Sequence, residues 1–325
     1  MGLKGDLGQL FITGVEGLTI TDSEKEFLEN ENIGGVIFFK RNYESPAQLA
    51  ELVNSIQKLR KEYPLFISVD QEGGRVVRFK DKFTVFPSMM DVASLKSPKI
   101  VFTVHQIMAQ ELNACGINLD FSPCCDILKN ESNKVIGDRA FGKDADTVLK
   151  YITSAIRGLE TNKVIACAKH FPGHGSTSKD SHEELPIIKT DLDSLKSDEF
   201  IPFRKAVKSH VEMVMMGHLQ VDSIDPELPC TLSPKAYKLL RDELKYNRII
   251  ITDDMQMKAL TDNFKEEELA FKALSAGVDI VLYNDVKTAS AALEFLKIQV
   301  KNKKLSYDNL NEKLIRIEKC KKQYF

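Results

Sequence analysis

Short, mostly apolar runs rich in Val, Ile and Phe alternate along this chain with longer stretches in which apolar residues recur every three or four positions. The runs are Leu10–Val15, Gly35–Phe39, Leu65–Asp70, Asn118–Ser122, Val164–His170, Val211–Gly217, Arg248–Asp253 and Val278–Tyr283. A strand with one face in water alternates apolar and polar residues, so mostly apolar runs without that alternation predict strands covered on both faces, as in parallel sheets. Helices are predicted between them. Ala47–Arg60 has helical spacing, as does Ile100–Cys115, which stops at Gly116. Ser233 and Pro234 offer an N-cap and a first-turn proline ahead of Ala236–Lys245, and Asn309–Lys322 sets Leu310, Leu314 and Ile317 on one stripe. Eight strands with intervening helices predict an α/β fold, a (β/α)8 barrel of the TIM type, with residues 1–325 as a single domain. The competing doubly wound sheet calls for GxGxxG after its first strand, where Ile12–Gly17 reads ITGVEG. Residues 123–145 and 171–190 form long connections, which in compact domains usually carry function.

Composition narrows the class. The 325 residues are 43% hydrophobic, ample for a large core, and 45 basic against 47 acidic side chains leave a net charge of -2. Binders of nucleic acid or anionic lipid usually carry a basic excess, so neither is expected as a partner. No apolar run approaches the ~18 residues that cross a bilayer, and the first fifteen residues lack a basic segment leading into an apolar one. The expectation is a cytoplasmic protein. Cys115, Cys124, Cys125, Cys167, Cys230 and Cys320 show no CxxC spacing and are read as reduced and structural, with no metal and no cofactor implied.

In a barrel of this type, reactive groups gather at the carboxyl ends of the strands. Here those ends are polar. The third strand runs into Asp70-Gln71-Glu72-Gly73-Gly74-Arg75 with Arg78 beyond, the fifth ends at Lys169-His170, the sixth at His218, and the seventh at Asp253-Asp254. Taken singly, a carboxylate can cap the next helix and a histidine can be a bonded core residue. Together they predict one polar rim. Five of the six histidines fall between His170 and His218, and Asp180 stands two residues from His182, where a carboxylate can fix an imidazole tautomer and raise its basicity. Asp253 and Asp254 are adjacent and should point to opposite faces of a strand, and spacing leaves open which enters the mouth.

Four segments resemble glycoside hydrolase family 3: VDQEGGRVVRF (Val69–Phe79), VIGDRAFG (Val135–Gly142), KHFPGHG followed by DSH (Lys169–Gly175, Asp180–His182) and ITDDMQM (Ile251–Met257). They occur in the family's order, and within it they are similar to the β-N-acetylglucosaminidase branch of the NagZ type. The resemblance implies a barrel that removes terminal, non-reducing β-linked N-acetylglucosamine with retention. It assigns Asp253 as nucleophile, His182 as general acid/base and Asp180 as the carboxylate that orients it. Asp70, Arg78, Arg139, Lys169 and His170 become sugar-binding residues. Muropeptide fragments of the cell wall are the implied substrate, with chitooligosaccharides as the alternative. The competing activities are a β-glucosidase or β-xylosidase of the same family, a GlcNAc phosphorylase, substrate-assisted hydrolysis, and a non-catalytic sugar-binding barrel. Oligomeric state is not legible.

Overall fold

A computed structural model describes residues 5–60, 62–177, 181 and 183–325. Eight strands form a closed barrel: β1 Phe11–Gly14, β2 Gly35–Phe38, β3 Phe66–Val69, β4 Leu119–Asp120, β5 Ile165–Phe171, β6 Met213–Met216, β7 Ile249–Asp254 and β8 Ile280–Tyr283. Each pairs in parallel with its sequence neighbours, and β1 closes on β8. Every predicted apolar run overlaps one of these strands, with ends within two residues. All strand residues are buried except the last two of β7, Asp253 and Asp254, which are half-buried. That break in an otherwise buried wall marks the chemical end of the barrel.

The helices start where local chemistry supplies caps. Ser45 accepts from Gln48 N ahead of Pro46–Gln57, and Ser97 accepts from Ile100 N ahead of Pro98–Ala114, each with proline in the first turn. Gly116 ends the second at φ +83°, where an added Cβ would sit 2.7 Å from Val53 Cγ1. One prediction needs correction. Ser233 precedes the helix Pro234–Lys238, but its hydroxyl donates to Asp225 Oδ2 at 2.7 Å and makes no capping bond. The helix also does not run on regularly to Lys245: it widens into a π turn over Leu239–Glu243, from which Arg241 reaches Tyr246 O, Arg248 O and Asp279 Oδ2. Residues 171–190 are not all irregular either, since Ile187–Ile188 pairs with Gln220–Val221.

The terminal helix Tyr307–Tyr324 covers the amino ends of the strands. Its Lys321 is fully buried, with Nζ 2.8 Å from Gln9 Oε1, 3.0 Å from Gly34 O and 4.7 Å above the Phe66 ring. Gln9 and Gly34 precede β1 and β2, so this end of the barrel is plugged by protein. The open end is the other one.

Candidate active site

Strand β3 delivers Asp70, and a short hairpin, Gln71–Gly73 with Val76–Val77, follows at once and carries Glu72 and Arg78. The hairpin is fixed by Gln71, whose side-chain oxygen accepts from Arg78 N at 3.0 Å and whose amide donates to Phe79 O at 2.8 Å. Asp120, at the end of β4, accepts from Gln71 N at 2.9 Å. Burial pushes the Asp120 carboxyl, beneath the site, well above its ordinary range.

Three cations and two carboxylates interlock above it. Lys169 Nζ stands 2.7 Å from Asp70 Oδ1 and 2.6 Å from Glu72 Oε1. Arg78 Nη2 is 2.9 Å from Asp70 Oδ2, and Arg139 grips Glu72 with Nε at 2.8 Å and Nη2 at 2.7 Å. Burial raises both carboxyls, and the cations overcome it: Asp70 is held well below its usual range by Lys169 and Arg78, and Glu72 is held at about 2 by Arg139 and Lys169. Lys169 is raised by the same carboxylates against the opposing effect of burial. The set carries one surplus positive charge, a favourable field for a further carboxylate nearby. Arg78 Nε is buried and finds no partner among the described residues, which leaves a donor for a ligand oxygen.

Two bulges aim the remaining groups. Between β7 and β8, Ile251 pairs with Ile280 and Asp254 with Leu282, three steps against two, so the ladder slips at Thr252–Asp253. Between β5 and β6, Ala168 pairs with Val214 and Phe171 with Met216, and the slip falls on Lys169–His170. A bulge breaks strict in-out alternation and re-aims side chains, which is why the adjacent Lys169 and His170 both reach the mouth. Asp253 also lines it. Asp254 turns instead to Asn284 Nδ2 at 2.8 Å and Gln256 N at 3.0 Å, answering the question that spacing left open. His218, predicted on the rim, is fully buried and lies 2.8 Å from Asp254 O through Nε2, where it supports the end of β7.

His170 meets Asp126, a residue of the 123–145 loop that sequence reasoning passed over. Its Nδ1 is 2.6 Å from Asp126 Oδ2, and Arg139 Nη2 is 3.4 Å from Nε2. A guanidinium can only donate, so Nε2 accepts and Nδ1 carries the proton. Asp126 also accepts from His170 N at 3.2 Å and His174 N at 2.7 Å, and Cys124 Sγ lies 3.3 Å away. Burial raises the Asp126 carboxyl, but His170 and His174 bring it down to about 2. Cys124, Asp126 and His170 offer three ligand atoms within 4.8 Å of one another. The N–H donors occupy both Asp126 oxygens, and burial keeps the Cys124 thiol protonated, so the trio works as a hydrogen-bonded cluster. Gly175 brings the turn close: a Cβ there would collide with the Ile127 carbonyl of the same loop.

Glu72 and Asp126 predict how the fold responds to acid. Both titrate near 4 in an unfolded chain and at about 2 here, so their stabilisation is present above about pH 4.5 and is lost as pH falls towards 2. Through these two carboxylates the melting temperature should fall steeply as pH drops below about 4.5. Glu72→Gln should lower the neutral plateau and flatten the acid limb. An acid limb unchanged in that variant would contradict the assignment.

The groups converge on a cavity of about 320 Å³ lined by Asp253, His170, Lys169, Arg139, Arg78, Glu72 and Asp70, with Arg75, Lys134, His174 and Ser181 at its margins. All five sugar-binding residues implied by sequence are therefore together, with the implied nucleophile. Asp180 and His182 lie outside the described residues. Ser181, between them, is described and faces the cavity. Glu72, Asp126 and His174 were not singled out for a role. Glu72 and His174 lay in quoted motifs, whereas Asp126 had no signal beyond the length of its loop. A larger depression of about 610 Å³, at Glu160, Lys163 and Tyr324, lies by the plugged end and lacks this convergence.

The model of the glycosyl hydrolase family 3 N-terminal domain matches residues 3–320. The chain belongs to glycoside hydrolase family 3. A β-hexosaminidase of Nitrosomonas eutropha is 37% identical over 299 residues, covering 90% of this chain and 85% of that protein. Among solved structures, a family 3 β-N-acetylglucosaminidase from Paenibacillus sp. str. FPU-7 superposes with a TM-score of 0.96 at 36% identity, over 100% of this chain and 62% of that one. LpqI of M tuberculosis superposes with a TM-score of 0.90 at 29% identity, over 99% and 94%. The chain is thus a glycoside hydrolase whose substrate is a carbohydrate. Among the described residues, no helix is long and apolar enough to cross a membrane.

Proposed function

We propose that this family 3 β-N-acetylhexosaminidase is a retaining exo-enzyme that removes terminal β-linked GlcNAc, with Asp253 as nucleophile and His182, oriented by Asp180, as acid/base. The observation that carries the reading is the meeting of Asp253 with the Asp70–Lys169–Glu72–Arg139 network in one cavity of about 320 Å³. That volume is at the small end of ligand pockets and suits one terminal sugar. Asp70 accepts from sugar hydroxyls, and Lys169, Arg78 and Arg139 donate to them. Their surplus charge keeps Asp253 ionised for attack at the anomeric carbon, below the ring. His182 donates a proton to the departing oxygen and then, as neutral imidazole, takes one from the water that opens the glycosyl-enzyme. An imidazole serves both steps near neutral pH.

Muropeptide fragments of cell-wall turnover are the proposed physiological substrate, supported by the resemblance of the four motifs. The six cysteines are free and buried, which supports a reducing, cytoplasmic setting. A single catalytic domain is proposed, on the match over residues 3–320. Comparing an aryl β-N-acetylglucosaminide with the aryl β-glucoside tests the sugar. The account expects the first to be cleaved far faster at the same rate with or without phosphate, and the reverse preference would transfer the chain to the glucosidases. For the acid, His182→Ala should lower kcat/KM by about 10²–10⁴ on poor leaving groups and far less on activated aryl ones. An equal loss on both would remove His182 from the proton transfer.

A further inference from the structure

His174 follows the Pro172–Gly173 turn beyond β5 and is 2% exposed, with both ring nitrogens engaged. Nδ1 lies 3.0 Å from Thr177 Oγ1, and Nε2 lies 3.0 Å from Ser181 Oγ. Each contact is buttressed. Asn133 Nδ2 donates to Thr177 Oγ1 at 3.1 Å and to His174 O at 2.8 Å, while Ala259 N donates to Ser181 O at 3.3 Å. The backbone of His174 is tied to Asp126 Oδ1 at 2.7 Å, the carboxylate that also holds His170. Thr177 and Ser181 are both buried. One imidazole therefore joins the residue at which the chain departs towards Asp180 to the residue that separates Asp180 from His182. A hydroxyl can donate or accept, so the two contacts suit either neutral tautomer. Burial, with His170 nearby, lowers His174 to about 4 and keeps it neutral at working pH.

We propose that His174 is a positioning residue for acid/base catalysis: by bridging Thr177 and Ser181 it fixes the chain beside the two positions, Asp180 and His182, to which the acid/base role is assigned. It exchanges no proton with substrate, because Nε2, the nitrogen that could, is committed to Ser181. The inference rests on the reading of His182 as acid/base, and its test separates the two.

The experiment measures kcat/KM on β-N-acetylglucosaminides from 2,4-dinitrophenyl to phenyl. The enzymes are wild type, His174→Phe, Ser181→Ala, His182→Ala and the double variant His174→Phe/His182→Ala. His174→Phe should lose about 10²-fold on the phenyl substrate and less than about fivefold on the dinitrophenyl one, since only the first needs a well-placed acid. Ser181→Ala should lose about tenfold in the same pattern. Adding His174→Phe to His182→Ala should change the phenyl rate by less than about threefold, because the group being positioned is already gone. Losses equal across leaving groups, or multiplied in full on the His182→Ala background, would show a merely structural role and overturn the proposal while leaving His182 in place. If His182→Ala is itself insensitive to the leaving group, both readings fall. Should His174→Phe not fold, the leaving-group pattern of Ser181→Ala decides.

Discussion

Asp253→Asn should lower hydrolysis of an aryl β-N-acetylglucosaminide by about 10³-fold or more, a loss of at least about 4 kcal/mol in transition-state stabilisation, with the fold unchanged. The amide keeps the size of the carboxylate and can still accept from Asp254 N, the bond seen at 2.8 Å on Asp253 Oδ1, so the end of β7 need not rearrange. What disappears is the charge that attacks the anomeric carbon and the covalent intermediate that divides the reaction in two. The residues assigned to the sugar hydroxyls are untouched, so the loss should fall on kcat and not on KM. Near-normal turnover by this variant would remove Asp253 from the chemistry.

The second large effect is on stability. Lys169→Met leaves Asp70 and Glu72 facing one another with the shared ammonium gone, and Lys169 and Glu72 are both nearly inaccessible to water. Breaking a buried ion pair from one side costs about 3–5 kcal/mol, which in a chain of this size lowers the melting temperature by roughly 4–7 °C. Arg78 and Arg139 keep one carboxylate each, so the fold should survive. Pairing Lys169→Met with Asp70→Asn should restore part of the stability, because it removes one stranded charge, but no activity, because both are proposed sugar-binding residues. A single variant that melts like wild type would show that the network contributes nothing at this position.

The fold was legible because burial on both faces leaves a plain mark. An apolar run such as Gly35–Phe39 reads as an inner strand, and eight such runs in alternation with helical spacing admit few arrangements. Local chemistry was less dependable where tertiary contacts compete for the same group. Ser233 looked like a cap, but Asp225, eight residues back, takes its hydroxyl. For the site, residues at strand ends were legible because barrel geometry puts them on one rim. Asp126 was not, since its place beneath His170 depends on how the 123–145 loop folds back, and nothing in its spacing records that path. Bulges are equally silent. The slips at Lys169–His170 and Thr252–Asp253 decide which side chains enter the cavity, yet in sequence they are ordinary strand residues.

The central claim is that Asp253 bonds to the anomeric carbon. Its most direct test is to incubate the enzyme with a 5-fluoro N-acetylglucosaminyl donor, measure the intact mass, and sequence the labelled peptide. The account predicts a single adduct, located on Asp253 and missing in Asp253→Asn. A label on any other residue, or turnover of the donor by wild type with no adduct at any time point while Asp253→Asn retains activity, would contradict it.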